Sequence, residues 1–331
     1  MRMLGKRLGI DLGAGNVRAV VRGEGLTITE PSVVARHRRR GYCAAGMAAA
    51  DLAGDPDMEL IRPVGPGVIA DLEAVGALLH QLVNRAAGRQ RIFRPDAVIA
   101  ICPAMGGDDR LVILDICARI GTRTAYLIDS PIAAALGAGH VPSASRGYLI
   151  VDIGAATVDA ASLASEGTIA TRTLTSAGDA LRDAVARRIE ETHGAVIDTV
   201  AAEDIVASLA CVGPHEERRM PVRAGVGEGS VTLSIASVEI ADLVDAHARQ
   251  IAHAIEEVID ETPIPLRRGI LEEGIALCGG GARLEGLDRY LSIQTGITAR
   301  VCPDAPTCVI RGTQAAVDNL DVLRRSFMYI R

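Results

Sequence analysis

Short apolar runs alternate along the chain with longer stretches in which apolar positions return every three or four residues. The runs Leu8 to Leu12, Val98 to Cys102, Tyr126 to Ile128, Tyr148 to Asp152, Ile275 to Cys278 and Ala299 to Cys302 predict strands. Between them, Leu72, Val75, Leu78, Leu79, Leu82 and Val83 mark one amphipathic helix, and Ile240, Leu243, Val244, Ile251, Ile255, Val258 and Ile259 mark another. Strands interleaved with helices predict a mixed α/β architecture. At roughly 150 residues per domain, the 331 residues suffice for about two domains.

One pattern exceeds generic α/β. LGIDLGAGNVRAVV at Leu8 to Val21 and LIVDIGAATVDAAS at Leu149 to Ser162 align without gaps, 141 residues apart, which reads as an internal duplication. Each copy is an apolar strand ending in aspartate, a small-residue turn and a second apolar strand. That predicts two β-hairpins with tips at Gly13 to Asn16 and Gly154 to Thr157, in two similar halves facing across a cleft. Turns of glycine and alanine let backbone N–H groups converge on an anion, so two of them suit a polyphosphate gripped from both sides. Asp11 and Asp152, at the strand ends, are placed to serve a hydrated magnesium ion. A third turn, Gly279-Gly280-Gly281, follows the strand IALC and precedes a helical stretch, another geometry for nucleotide contact.

Composition narrows the chemistry. The 35 basic residues include a single lysine, Lys6, outside any glycine-rich loop, which excludes a Walker A site and Schiff-base catalysis. Seven aromatic residues, no tryptophan and a formal charge of −6 argue against a nucleic-acid partner. The seven cysteines are odd in number and contain no Cys-x-x-Cys, so neither a disulfide framework nor a zinc site is expected, and the chain reads as cytoplasmic. No signal peptide or membrane span is evident, so any membrane contact is expected at the surface. His80, His247 and His253 lie on helical stretches without metal-ligand partners at useful spacing and read as structural.

IDLGAGNVR with TEPSVVA, then IRPVGPGVIADLE, LIDSPIAAALGAG, IVDIGAATVD, SAGDALRDAV and CGGGARLEGLDRYLSIQTGI with TCVIRGT resemble, in order and spacing, the MreB/Mbl branch of the bacterial actin homologues. The resemblance covers nearly the whole chain. It implies an actin-like α/β fold of two ribonuclease-H-like domains, each with a small inserted subdomain, closing over ATP and Mg2+. The corresponding division is residues 1–144, with an insertion at about 35–62 and completion by a C-terminal helix at about 307–325, and residues 145–306, with an insertion at about 178–235. It also implies filaments of the protein itself at the inner face of the cell membrane, organising cell-wall synthesis and rod shape with the wall-building machinery or a second MreB-like protein.

Carried over residue by residue, the resemblance places ATP contacts at Asp11, Gly13, Ala14, Gly15 and Asn16, at Asp152, Gly154, Ala155, Ala156 and Thr157, at Gly178, Asp179 and Glu203, and at Gly279, Gly280 and Gly281, with Asp11 and Asp152 serving the metal. The departures are specific. Ser130-Pro131 stands where the family has a Glu-Pro whose glutamate positions the attacking water, and a serine is too short and too weakly basic for that role. Val206 and Ser208 stand where it has an adenosine-contacting lysine and glutamate. The methyls of Ala155 and Ala156 are expected to hinder a positive-φ turn, and the lost hydroxyls at Ala14 and Val17 to weaken phosphate binding. Hydrolysis is therefore expected to be weakened or lost. The rival expectations are an active ATPase or phosphotransferase of the same superfamily, and a non-polymerising scaffold with a vestigial cleft.

Ile92 and Phe93, flanked by Arg89, Arg91 and Arg94, match a loop that in this family presents an apolar pair to the membrane, with inward packing of Phe93 as the other expectation. The basic run Arg36 to Arg40 reads as a solvated loop, and the Gly-, Pro- and Arg-rich stretch between Cys211 and Thr232 as a flexible excursion.

Overall fold

Both copies of the repeated segment form hairpins: Arg7–Leu12 pairs antiparallel with Asn16–Val21, and Tyr148–Ile153 with Val158–Ala164. The structure, a computed structural model, describes residues 5–25, 27–88, 93–140, 146–165, 167–227, 229–320 and 328–330. A third antiparallel strand flanks each hairpin, Thr27–Pro31 in the first half and Gly167–Leu174 in the second. On the other side each sheet continues through two parallel strands, Asp96–Ile101 and Thr124–Asp129 in one, Ile275–Cys278 and Ala299–Val301 in the other. The two sheets thus share one strand order, and Met328–Ile330 extends the first. The duplication seen in fourteen residues is a duplication of the whole sheet.

The predicted helices cover these sheets. Leu72–Ala87 starts where the Asp71 carboxylate accepts from the Ala74 N–H at 2.9 Å, and it buries Val75, Leu78, Leu79, Leu82 and Val83 in the first core. Ala241–Glu261 sets Val244, Ile251, Ile255 and Val258 in the second. Two further helices occupy equivalent places, Ser130–Gly137 after Thr124–Asp129 and Cys308–Asp318 after Ala299–Val301. They cross between the halves at backbone distance: a Cβ on Gly137 would meet the Cys308 carbonyl oxygen at 1.9 Å, and one on Gly312 the Ala133 carbonyl oxygen at 1.6 Å. Around the crossing, Ala133, Ala134, Val309 and Val317 join Val98 and Tyr126 of the first sheet and Ile150 and Ala161 of the second in a third apolar cluster.

Within the span expected as the first insertion, Val34–His37, Gly41–Ala45 and Met58–Ile61 form a small sheet of their own. The basic run spans its first strand and an exposed turn, with Arg36 paired to Glu59 at 2.7 Å. The stretch expected to be a flexible excursion is instead largely an antiparallel hairpin, Arg219–Val226 with Gly229–Ala236. Its glycines and proline obscure a strand alternation: Val222 and Ala224 pack into the second core while Pro221 and Arg223 face outward.

Candidate functional site

A cavity of about 750 Å³ opens between the halves. Its lining includes Asp11 to Asn16 of the first hairpin, Asp152 to Thr157 of the second, Gly178 and Asp179 at a helix start, Glu203, and the turn Gly279 to Gly281. Every residue proposed from the sequence for nucleotide and metal contact faces one space. Arg62, outside the lining, donates to the lining residue Asp179 at 2.6 Å and so links the two halves.

The cavity floor is acidic. Asp11 is buried and accepts from Arg18 at 3.0 Å, yet burial still raises its carboxyl above the usual range. Asp152 is pushed up to about 8, first by desolvation and then by the negative charges of Asp159 and Asp11. Asp159 is buried too; it accepts from Thr173 Oγ1 at 2.6 Å and from Thr157 Oγ1 at 3.2 Å, and burial raises it. Of the three carboxyls Asp11 alone is paired to Arg18, and hard oxygen donors in that number, which a bound cation would hold ionised, fit a hydrated magnesium ion.

Turn geometry corrects one expectation. Among the described residues Asp304 is the only non-glycine with positive φ, so Ala155 and Ala156 sit in backbone that any residue adopts. The glycines matter for closeness: a Cβ on Gly13 would meet the Asn16 carbonyl oxygen at 2.7 Å, and one on Gly15 the Ala155 methyl at 2.8 Å. Gly279, at φ +81°, does require glycine, since a Cβ would meet the Ile153 carbonyl oxygen at 2.3 Å. The N–H groups of Gly178 and Asp179 are taken by the carbonyls of Gly154 and Ala155, at 3.3 and 2.7 Å. They brace the second hairpin.

A family model described as MreB/Mbl protein matches residues 5–325. The chain belongs to the MreB/Mbl family. It is 31% identical to the cell shape-determining protein Mbl of Bacillus subtilis strain 168, over 97% of this chain and 98% of that protein. Identity to the cell shape-determining protein MreB of Escherichia coli K12 is 32%, over 97% and 95%. Among solved structures, MreB5 of Spiroplasma citri bound to ADP superposes with a TM-score of 0.89 at 27% identity, covering 98% of this chain and 99% of that one. The same protein bound to AMPPNP gives the same values. A MamK double helical filament shares the actin-like fold, with a TM-score of 0.81 at 22% identity over 95% and 98%.

Within this MreB/Mbl cleft the departures keep their places. Ser130 lines the cavity at the start of the crossing helix, and neighbouring Asp129 is held by Arg110 at 2.7 Å. Val206 contributes an apolar wall, whereas Ser208 lies outside the lining. The sequence reading missed Arg18, Asp159, Arg182, Arg283 and Cys102, all of which line the cavity. His247, expected as structural, is buried, with burial lowering its basicity, and also borders the cavity. The one available signal was register: Arg18 and Asp159 occupy the same position of the duplicated hairpin, seven residues after Asp11 and Asp152. Phe93 is 51% exposed, against the expectation of inward packing, and Ile92 lies outside the described residues.

Proposed function

We propose that this MreB/Mbl family member binds ATP with Mg2+ between its halves and assembles with further copies into filaments that organise cell-wall synthesis and cell shape. The observation that carries this reading is the pair of equivalent hairpins bringing Asp11 and Asp152 to the floor of one cleft. In the proposal the halves are residues 1–144, with the C-terminal helix, and 145–306, and nucleotide acts as an assembly switch by drawing them together. Gly13 to Asn16 and Gly154 to Thr157 flank the phosphates, Gly279 to Gly281 the adenosine, and Asp11 and Asp152 hold the metal through its water shell. Nucleotide-bound MreB5 of Spiroplasma citri supports the cofactor assignment.

Hydrolysis is weak in this reading, because Ser130 offers no carboxylate to position water. The filament lies on the cytoplasmic face of the inner membrane. No helix among the described residues is long and apolar enough to cross a membrane, and half-exposed Phe93 beside Arg94 supplies a surface contact. One such loop binds weakly, so many copies in a filament are needed for stable attachment. Partners are the wall-building machinery or a second MreB-like protein.

The test is electron microscopy of the purified chain on anionic lipid with ATP, with a non-hydrolysable analogue and without nucleotide, alongside equilibrium ATP binding with and without Mg2+. Filaments confined to the nucleotide samples are expected. Their absence from all three samples overturns the assembly reading in favour of a scaffold, and steady phosphate release at an ordinary ATPase rate overturns weakened hydrolysis.

A further inference from the structure

Cys278, Cys302 and Cys308 are separated in sequence and arrive from three elements, yet their sulfurs all lie within 4.8 Å of one another. Cys278 ends the strand Ile275–Cys278, Cys302 follows the neighbouring strand Ala299–Val301, and Cys308 begins the helix Cys308–Asp318. Two backbone hydrogen bonds brace these segments: the Cys302 N–H donates to Leu277 at 2.9 Å and the Gly279 N–H to Ala305 at 2.9 Å. Between Cys302 and Cys308 the chain turns tightly through Asp304, which takes φ +50°, a left-handed conformation uncommon outside glycine. Cys278 and Cys308 are fully buried and Cys302 is partly accessible.

We propose that these three cysteines form a binding site for one thiophilic d10 metal ion of the Zn2+ or Cu+ class. Cys-x-x-Cys spacing detects ligands within one segment, whereas these come from two strand ends and a helix start. Three sulfurs each about 2.3 Å from a shared ion lie roughly 4 Å apart, so closure needs only small movements of side chains already converged. No histidine or carboxylate joins the group among the described residues, a purely sulfur donor set that selects soft ions over magnesium or calcium.

One of the three sulfurs, that of Cys308, has a cationic neighbour. Arg311 Nη2 lies 3.3 Å from Cys308 Sγ and also donates to the Pro303 carbonyl at 2.8 Å, which fixes the guanidinium beside the cluster. Cys308 also stands at the positive end of its helix. Binding converts the three thiols to metal-bound thiolates and releases their protons. The ion ties the Gly279 to Gly281 turn of the cleft to the first turn of the crossing helix. The site does not depend on the nucleotide reading.

The full chain carrying Cys43→Ser, which removes an exposed thiol, is reduced, freed of reductant under nitrogen and titrated with Cd2+ as a spectroscopic probe. The expected result is a thiolate-to-metal charge-transfer band saturating at one equivalent, three thiols protected from alkylation, displacement of Cd2+ by Cu+, and weaker apparent Cd2+ binding when Zn2+ is present in excess. Cys302→Ser, at the accessible corner, should weaken affinity at least tenfold. Failure of the band to appear, or an unchanged band and affinity in Cys302→Ser, overturns the proposal. Variants at Cys278 and Cys308 risk misfolding, so thiol protection in the chain with an intact cluster decides independently: alkylation unaffected by Cd2+ also overturns it.

Discussion

Asp152 stands directly opposite Asp159 across the second hairpin, where the matching residues of the first hairpin, Asp11 and Arg18, form an ion pair at 3.0 Å. A like-charged cross-strand pair opposes folding, whereas an opposite pair supports it. The duplicated fold thus carries one hairpin with an opposite-charged cross-strand pair and one with a like-charged pair that a proton on Asp152 relieves.

Stability without ligand should consequently fall as pH rises. Asp152 is raised from 3.8 to about 8, so between those values the native state holds a proton that the unfolded chain has released, and unfolding free energy decreases with pH. Melting temperatures at about pH 5 and about pH 8, measured without divalent ions, should drop at the higher value for the natural chain and much less for Asp152→Asn. Added Mg2+ should restore the natural chain at the higher pH and leave the variant nearly unchanged.

Ser130→Glu tests the missing carboxylate. Positioned general bases contribute roughly 10²- to 10⁴-fold, so phosphate release should rise at least tenfold in Ser130→Glu, with Ser130→Ala matching the natural chain. Equal release in all three proteins would place the defect elsewhere in the cleft.

The helix crossing should tolerate no added methyl. Gly312→Ala forces a carbon onto the Ala133 carbonyl, and overpacking of this kind costs about 1–3 kcal/mol or more. Gly106→Ala, where a Cβ meets nothing within 4 Å, is the control and should leave denaturant midpoints nearly unchanged.

Membrane contact should depend on Phe93. Phe93→Ala should reduce co-sedimentation with anionic vesicles several-fold while leaving the melting temperature in place, because the ring is half exposed and contributes little to the core. Raised salt should weaken the remaining binding through Arg94 and its basic neighbours. Unchanged co-sedimentation would remove the loop from the membrane surface.

The duplication was legible because both copies keep their aspartates and small residues in the same phase, and from it followed the two hairpins, the cleft and the residues facing it. What pattern could not show was pairing across space. The opposition of Asp152 and Asp159 needs hairpin register, and the meeting of Cys278 with Cys302 and Cys308 needs the order of strands in the sheet. The stripe containing Ile240, Val244 and Ile251 placed His247 on an inward helix face but carried no sign that this face borders a cavity. The hairpin at Arg219–Val226 escaped notice because glycine and proline were read as loop signals, although two inward side chains suffice to anchor a strand.

The helix Cys308–Asp318 lies on the first sheet, where a Cβ on Gly9 would meet Thr313 Oγ1 at 2.6 Å, and its Val309, Ala316 and Val317 share a cluster with Val98, Ala100, Tyr126 and Ile128. During synthesis those sheet residues leave the ribosome long before the helix that covers them. That part of the first sheet must therefore wait, its apolar residues uncovered, until roughly 180 residues beyond Ile128 have been made. A nascent chain halted before Cys308 would present those residues to chaperones or to other chains, so synthesis of this late helix is itself the step that makes the first sheet secure.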